Sequence, residues 1–131
     1  MKLFTSGEDY LKALLILEKE KGIVRSCDLA DHMGFSRASI SVAVSNLRKR
    51  DFVVMNDDMT LHLTAAGHKL AQQIYERHCF FRDRLVAIGV APQTAESEAC
   101  QLEHIVSQDT FERIKNSAPE HVYRKYSARQ E

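Results

Sequence analysis

The chain has 131 residues, and its 18 basic and 18 acidic side chains give a formal charge of zero at neutral pH. That length suits one compact domain or a small domain with an appendage. The balanced charge excludes a general attraction to nucleic acid, so any DNA contact must come from a local basic patch. No stretch is long and apolar enough to span a membrane, and the N-terminus lacks a signal-peptide pattern. We therefore expect a cytoplasmic protein without a membrane partner, whose Cys27, Cys79 and Cys100 are reduced.

Three helices are predicted at the start of the chain. Apolar residues at helical spacing indicate a first helix from about Ser6 to Gly22. A short second helix follows over Ser26 to His32, and Gly34 supplies a turn before a third helix from Ser36 to about Arg50. The second helix, the glycine and the third helix have the spacing of a helix-turn-helix.

A β-hairpin is predicted next. Residues 52–55 and 60–63 indicate two short strands around the turn Asn56-Asp57-Asp58. Three further helices are then predicted, over Ala65 to about Ile88, Thr94 to Ser107, and Asp109 to Asn116. The sequence therefore predicts a mainly α fold, in which an N-terminal winged helix-turn-helix is followed by a helical domain.

The third helix has an exposed polar face that is typical of a recognition helix. Small hydroxyls near its N-terminus let the backbone approach phosphates and base edges closely. Arg37 is the one long donor near that N-terminus and the best candidate for a guanine contact. The candidate DNA-binding residues are Arg25, Ser36, Arg37, Ser39, Ser41, Val42, Asn46 and Lys49. A solvated surface helix has a similar pattern, and winged folds also occur in protein-interaction modules. The acidic hairpin tip, with Asp57 and Asp58, predicts only a weak contribution from the wing.

On the helix predicted over Thr94 to Ser107, a thiol, a carboxylate and an imidazole share one face. Cys100, Glu103 and His104 lie at positions i, i+3 and i+4, which meet on one side of an α-helix. Three donor types on one short surface form a suitable site for a divalent transition metal. The alternative is a half-buried helix whose cysteine packs in the core and whose other two side chains are solvated.

Several short segments support the metal-site interpretation by their order along the chain. They are Glu8-Asp9-Tyr10-Leu11, Leu63-Thr64-Ala65-Ala66-Gly67, Arg77-His78 and Glu98-Ala99-Cys100-Gln101-Leu102-Glu103-His104. Together with the helix-turn-helix, this order resembles the diphtheria toxin repressor family of metal-dependent transcriptional regulators, which includes iron and manganese repressors. The resemblance covers nearly the full length. We expect the short form of the family, without the SH3-like domain of the longer iron repressors.

The resemblance implies a repressor that binds double-stranded DNA as a homodimer. Residues 1–70 would form the winged helix-turn-helix DNA-binding domain, and residues 71–131 a helical metal-binding and dimerisation domain. Metal bound between the two domains would set the spacing of the two recognition helices on a palindromic operator. The metal ligands implied by the resemblance are Asp9, His78, Cys100, Glu103 and His104.

Three residues depart from the family's pattern around these ligands. Lys12 stands where the manganese branch has a second bridging carboxylate, and Arg82 where the iron branch has an ancillary glutamate. Glu96 stands where the iron branch has an ancillary histidine. By helical spacing, Lys12 shares a face with Asp9, and Arg82 shares one with His78. Two unit charges 4 Å apart interact by roughly 4 kcal/mol at an effective dielectric near 20. We call Lys12 and Arg82 modulators of the metal site, because their positive charges would repel a second cation. We therefore expect one ion per subunit.

Iron is the expected metal. The thiolate of Cys100 and the imidazoles favour Fe²⁺, Co²⁺, Ni²⁺ or Zn²⁺ over Mn²⁺, whereas Asp9 and the short length resemble the manganese branch. Two alternatives remain open. One is a regulator with a decayed metal site, in which Lys12 and Arg82 replace the ion and DNA binding needs no metal. The other is a metalloenzyme that uses the same donors with the glutamate as base. No catalytic motif is present, so we expect a protein that is not an enzyme.

Overall fold

The structure is a computed structural model that describes residues 5–117. Over this range it has six helices and three strands. In chain order they are α1 (Thr5–Lys21), β1 (Val24–Arg25), α2 (Ser26–Met33), α3 (Arg37–Lys49), β2 (Val53–Met55), β3 (Thr60–Leu63), α4 (Ala65–Ala87), α5 (Pro92–Ile105) and α6 (Gln108–Ser117). The mainly α fold predicted from the sequence is confirmed.

Contacts between residues divide the chain into an N-terminal unit, residues 1–72, and a C-terminal unit, residues 73–131. The N-terminal unit contains α1, α2, α3, the three strands and the beginning of α4. The C-terminal unit contains the rest of α4 together with α5 and α6. Residues 118–131 of the predicted second domain lie outside the described range. Within residues 5–117, no helix is both long and apolar enough to cross a membrane.

The buried faces of α1 and α3 form much of the core of the N-terminal unit. Helix α3 has an apolar stripe, because Ile40, Val44 and Leu47 are all buried. On α1, Leu11 and Leu15 are almost completely shielded from solvent. Burying one such side chain stabilises a fold by about 1.5–3 kcal/mol. This packing holds the opposite, polar side of α3 toward solvent.

The wing is a three-stranded antiparallel sheet in the order β1-β3-β2. Val24 pairs with Leu61 and Val53 pairs with Leu63, so the predicted hairpin is confirmed. The sequence prediction did not include β1, since a strand of two residues is too short to show the alternation that identifies strands. Val24, Leu61 and Val53 are buried, and their burial ties the sheet to the core.

The hairpin leads directly into α4. The N–H of Gly67 donates a hydrogen bond to Oγ1 of Thr64 at 3.0 Å, so the threonine caps the first turn. Gly67 itself packs against the backbone of Phe52, and a Cβ at this position would overlap the carbonyl oxygen of Phe52. The absence of a side chain therefore lets α4 start close to the loop that precedes β2.

Aromatic side chains from α4 and α6 form a cluster in the C-terminal unit. The rings of Phe80 and Phe111 meet edge to face with centroids 5.4 Å apart, and Phe81 contacts both rings. Cys79 belongs to the same cluster, and burial raises the pKa of its thiol. It is thus a packing residue of this cluster. The adjacent helix α5 begins at Pro92, two residues before the predicted start, because proline suits the first turn of a helix.

Candidate metal centre and nucleic-acid interface

The C-terminal unit brings four of the five predicted metal ligands together. His78 comes from α4, and Cys100, Glu103 and His104 come from one face of α5, as their spacing predicts. We refer to these four residues as the donor cluster. Two neighbouring helices therefore supply two imidazoles, one thiol and one carboxylate.

Glu103 lies at the centre of the donor cluster. Its Oε2 is 3.2 Å from Nδ1 of His78, and its Oε1 is 3.3 Å from Nε2 of His104. The glutamate side chain has no solvent exposure, and both imidazoles are only 5% exposed. An ionised carboxylate is costly to bury unless positive or hydrogen-bonding groups surround it. One imidazole nitrogen faces each oxygen of this carboxylate.

Cys100 adds a softer donor to the same place. Its Sγ lies 3.7 Å from Nδ1 of His78, the nitrogen that also faces Glu103. Sulfur, nitrogen and oxygen donors in one group match the ligand chemistry of a divalent transition metal of intermediate softness. The donor set therefore fits a divalent metal ion.

Glu96 is a neighbour of this cluster that the sequence prediction did not count among the ligands. Its Oε1 lies 2.8 Å from Nε2 of His78, and its Oε2 lies 3.7 Å from Nη1 of Arg82. One ligand atom from each of His78, Glu96 and Cys100 lies within 4.8 Å of the others. Glu96 precedes Cys100 by four positions on α5, and this spacing indicates from the sequence that the two residues share a face of the helix. Its contact with His78 depends on the packing of α5 against α4.

Arg82 lies beside Glu96, at the edge of the donor cluster. Its Nε is 3.3 Å from Oδ1 of Asp83, and its guanidinium also reaches Glu96. Partial burial opposes its charge, but the charges of Cys79, Asp83 and Glu96 outweigh that effect and raise the pKa of the guanidinium above its ordinary value. Arg82 is therefore a permanent cation beside the donor cluster.

Asp9 and Lys12 lie on α1 in the N-terminal unit, and both side chains are half-buried. Their positions three residues apart place them on one side of α1. The roles of Asp9 as a ligand and of Lys12 as a modulator stay predictions.

The polar face predicted for α3 is exposed in the structure. A groove of about 680 Å³ runs between the first part of α1 and this face, and it is lined in part by Ser39, Val42 and Asn46. Val42 is 63% exposed on this face. The exposed residues among the predicted DNA contacts are Arg25, Ser36, Arg37, Ser39, Ser41, Val42, Asn46 and Lys49.

Two of the predicted DNA contacts also have a structural task. Ser36 is the N-cap of α3, because its Oγ accepts a hydrogen bond from the N–H of Ser39 at 3.1 Å. The hydroxyls of Ser36 and Ser39 are 3.0 Å apart. Arg37 follows the cap directly and is exposed, so its guanidinium is available to a base edge or a phosphate.

The tip of the wing is acidic at neutral pH. Asp58 accepts hydrogen bonds from the hydroxyl and the N–H of Thr60, at 2.6 and 3.1 Å. These bonds lower the pKa of Asp58 below its ordinary value. Asp57 and Asp58 are both exposed, so the tip repels a phosphate backbone.

Comparisons with known proteins agree with this arrangement. Residues 2–61 match the family described as iron dependent repressor, N-terminal DNA binding domain. Residues 64–119 match its companion, the iron dependent repressor, metal binding and dimerisation domain. The transcriptional regulator MntR of Escherichia coli O6:H1 is 31% identical over 114 residues, which are 87% of this chain and 74% of that protein. The MntR of Shouchella clausii is 33% identical over 109 residues, 83% of this chain and 76% of that protein.

A solved structure of the manganese regulator SloR has the same fold. It superposes with a TM-score of 0.74 at 28% identity, and the match covers 84% of this chain and 52% of that one. This chain therefore spans about half the length of that structure. The chain belongs to the diphtheria toxin repressor family of metal-dependent transcriptional regulators, which confirms the family, the fold and the class of function predicted from the sequence.

Proposed function

We propose that the chain is a metal-responsive repressor that holds one divalent ion per subunit at the donor cluster. The observation that carries the proposal is the fully buried Glu103 between the imidazoles of His78 and His104, with the thiol of Cys100 beside His78. Packing alone gives no reason to bury the side chains of His78, Glu103 and His104 together, because each loses its hydration. A cation that binds them all would offset that loss. We assign no catalytic step to the cluster.

Iron is our first choice of metal. The thiolate of Cys100 is softer than a carboxylate, and thiolate with imidazole favours Fe²⁺, Co²⁺, Ni²⁺ or Zn²⁺ over Mn²⁺. Manganese is the competing choice, since the relatives named above are called MntR and a manganese regulator. Asp9 would be the fifth ligand, on the ground of the family resemblance.

The DNA contact is proposed for α3 as a recognition helix in the major groove. Arg37 reads a guanine, and Arg25 and Lys49 contact phosphates. In a homodimer, two-fold symmetry places equivalent half-sites about one helical turn or a small multiple apart, so the operator is palindromic. Because a regulator must meet DNA, we infer a cytoplasmic location.

A second candidate is a family member that binds DNA without metal. The observation in its favour is Arg82, which lies 3.7 Å from Glu96 and so places a fixed positive charge next to His78. In that case Arg82 and Lys12 supply the positive charge that an ion would otherwise bring. DNA binding that is equally tight in a strong chelator distinguishes this candidate from the first.

Selection from a randomised duplex library tests the proposal without knowledge of the operator. The full chain is incubated with the library under anaerobic conditions, with Fe²⁺, with Mn²⁺ or with chelator. We expect a palindromic sequence to be enriched only when metal is present. Glu103→Gln should lose that enrichment, whereas Glu98→Gln, which removes an exposed carboxylate of the same helix, should keep it. Enrichment of one sequence in all conditions would contradict metal dependence.

A further inference from the structure

The two ring nitrogens of His78 face different groups. Nε2 lies 2.8 Å from Oε1 of Glu96. Nδ1 lies 3.2 Å from Oε2 of Glu103 and 3.7 Å from Sγ of Cys100. A neutral imidazole carries one proton, so a ring that donates from Nε2 offers the lone pair of Nδ1.

We propose that Glu96 is a positioning residue that fixes the tautomer of His78. Glu96 accepts a hydrogen bond from Nε2–H, and Nδ1 then presents its lone pair on the side of Cys100 and Glu103. Metal-binding histidines generally donate their second N–H to a carboxylate or carbonyl, which orients the ring and raises its basicity. This inference rests on the proposed function, because it assigns a role to a neighbour of the same metal site.

Arg82 holds Glu96 in the position that this role requires. The carboxylate of Glu96 engages His78 through Oε1 and Arg82 through Oε2. Its side chain is 52% exposed, so it has room for other rotamers, and the second contact restricts them. The chain of contacts runs from Arg82 on α4 to Glu96 on α5 and back to His78 on α4.

The competing arrangement makes Glu96 a direct ligand, together with His78 and Cys100. Two observations favour the positioning role. The thiol and the carboxylate of Glu103 both lie at Nδ1, whereas Glu96 lies at Nε2. The guanidinium of Arg82 touches the other oxygen of Glu96 and repels a cation from that side.

The test combines imidazole ¹⁵N NMR with cobalt titration of the full chain. In Zn²⁺-loaded protein, we expect His78 to show a protonated Nε2 and a metal-bound Nδ1. In Glu96→Ala, the affinity for Co²⁺ should fall by about 10- to 100-fold, the usual effect of removing such a hydrogen-bond partner. The thiolate-to-cobalt and d–d absorption bands should keep their positions, because the ligands themselves are unchanged.

Two further variants separate the positioning role from a loss of charge. Glu96→Gln should recover part of the lost affinity, since its amide oxygen still accepts a hydrogen bond from Nε2–H. Glu98→Ala removes an exposed carboxylate from the same helix and should bind Co²⁺ as the wild type does.

Three results would overturn the inference. They are metal bound at Nε2 of His78, d–d bands that shift in Glu96→Ala, and Co²⁺ affinity that does not change in that variant. Each of these leaves the proposed metal site itself intact. Wild-type protein that binds neither Zn²⁺ nor Co²⁺ would instead contradict the proposed function, and the inference with it.

Discussion

Cys100 sets the softness of the donor cluster. Its thiol is the sulfur donor near Nδ1 of His78. Replacing it by a carboxylate should move the metal preference of Cys100→Glu toward Mn²⁺, and Cys100→Ala should abolish metal-dependent DNA binding. Anaerobic titrations with Fe²⁺ and Mn²⁺, followed by the fluorescence anisotropy of a selected duplex, measure both effects. Cys27→Ala, in the N-terminal unit, is the control and should behave as wild type. Wild-type protein that responds to Mn²⁺ at lower free concentration than to Fe²⁺ would refute the softness argument.

Arg37 is the residue on which sequence readout is expected to depend. It is exposed and directly follows the cap of α3, so it can reach a guanine at the start of the recognition helix. Arg37→Ala should weaken binding to the selected duplex by about 1–3 kcal/mol and leave binding to random DNA nearly unchanged. Paired titrations on the two duplexes measure the difference. An equal loss on both would show that Arg37 contacts phosphate instead of a base.

The donor cluster could be predicted from the sequence because helix geometry fixes its spacing. Residues i, i+3 and i+4 share a face whatever the rest of the fold does, and this placed Cys100, Glu103 and His104 together. Glu96 could not be assigned in the same way. Its contact with His78 comes from the packing of one helix on another, and the residue spacing along one helix does not report that packing.

At the scale of the elements, Gly67 allows α4 to start against the loop before β2. Alanine normally stabilises a helix relative to glycine by about 1 kcal/mol. Here the added Cβ would overlap the carbonyl oxygen of Phe52, which is backbone and cannot move aside easily. Gly67→Ala should therefore destabilise the protein by about 1–3 kcal/mol in urea unfolding. The neighbouring exposed Ala66 gives the control, since Ala66→Gly should cost only the ordinary helix propensity. Unchanged or increased stability of Gly67→Ala would contradict the packing described for this junction.

Asp28 makes the stability of the start of α2 depend on pH. It accepts a hydrogen bond from Nζ of Lys21 at 2.7 Å and from the N–H of Arg25 at 2.8 Å, and these contacts lower its pKa. A lowered pKa in the folded state means that the stabilisation is present above the unfolded pKa and is lost as pH falls through the folded value. Loss of a helix cap costs about 1 kcal/mol, and an exposed ion pair adds little.

Asp28→Asn should accordingly lower the melting temperature at pH 7, and its difference from wild type should disappear below about pH 3–4. Thermal unfolding followed by circular dichroism across this pH range measures the effect. Asp31→Asn removes an exposed charge from the same helix and should change little. A difference that stays constant down to the lowest pH would rule out the ionised carboxylate as its source.

The helices were easier to predict than the strands, for a physical reason. Helices α1 and α3 repeat their apolar spacing over two turns or more, and capping residues such as Ser36 mark the ends. The two residues of β1 are identified as a strand only by their pairing with Leu61 and Thr60. That pairing is a long-range contact, so local sequence patterns contain no signal for it.

At the scale of the whole molecule, the net charge is zero, and DNA affinity must come from one face. The C-terminal end of α3 adds exposed Arg48 and Lys49 to Arg37, while the wing tip is acidic. Phosphate contacts are therefore expected at the recognition helix and not at the tip.

Under the proposed function, an ion bound in the C-terminal unit controls DNA binding by the N-terminal unit. This control can be measured by titrating Fe²⁺ anaerobically into the full chain with a selected duplex, while anisotropy and bound iron are followed together. We expect no specific binding in chelator, and binding that rises with iron and saturates at one ion per subunit. Specific binding that is equally tight in chelator would contradict the claim.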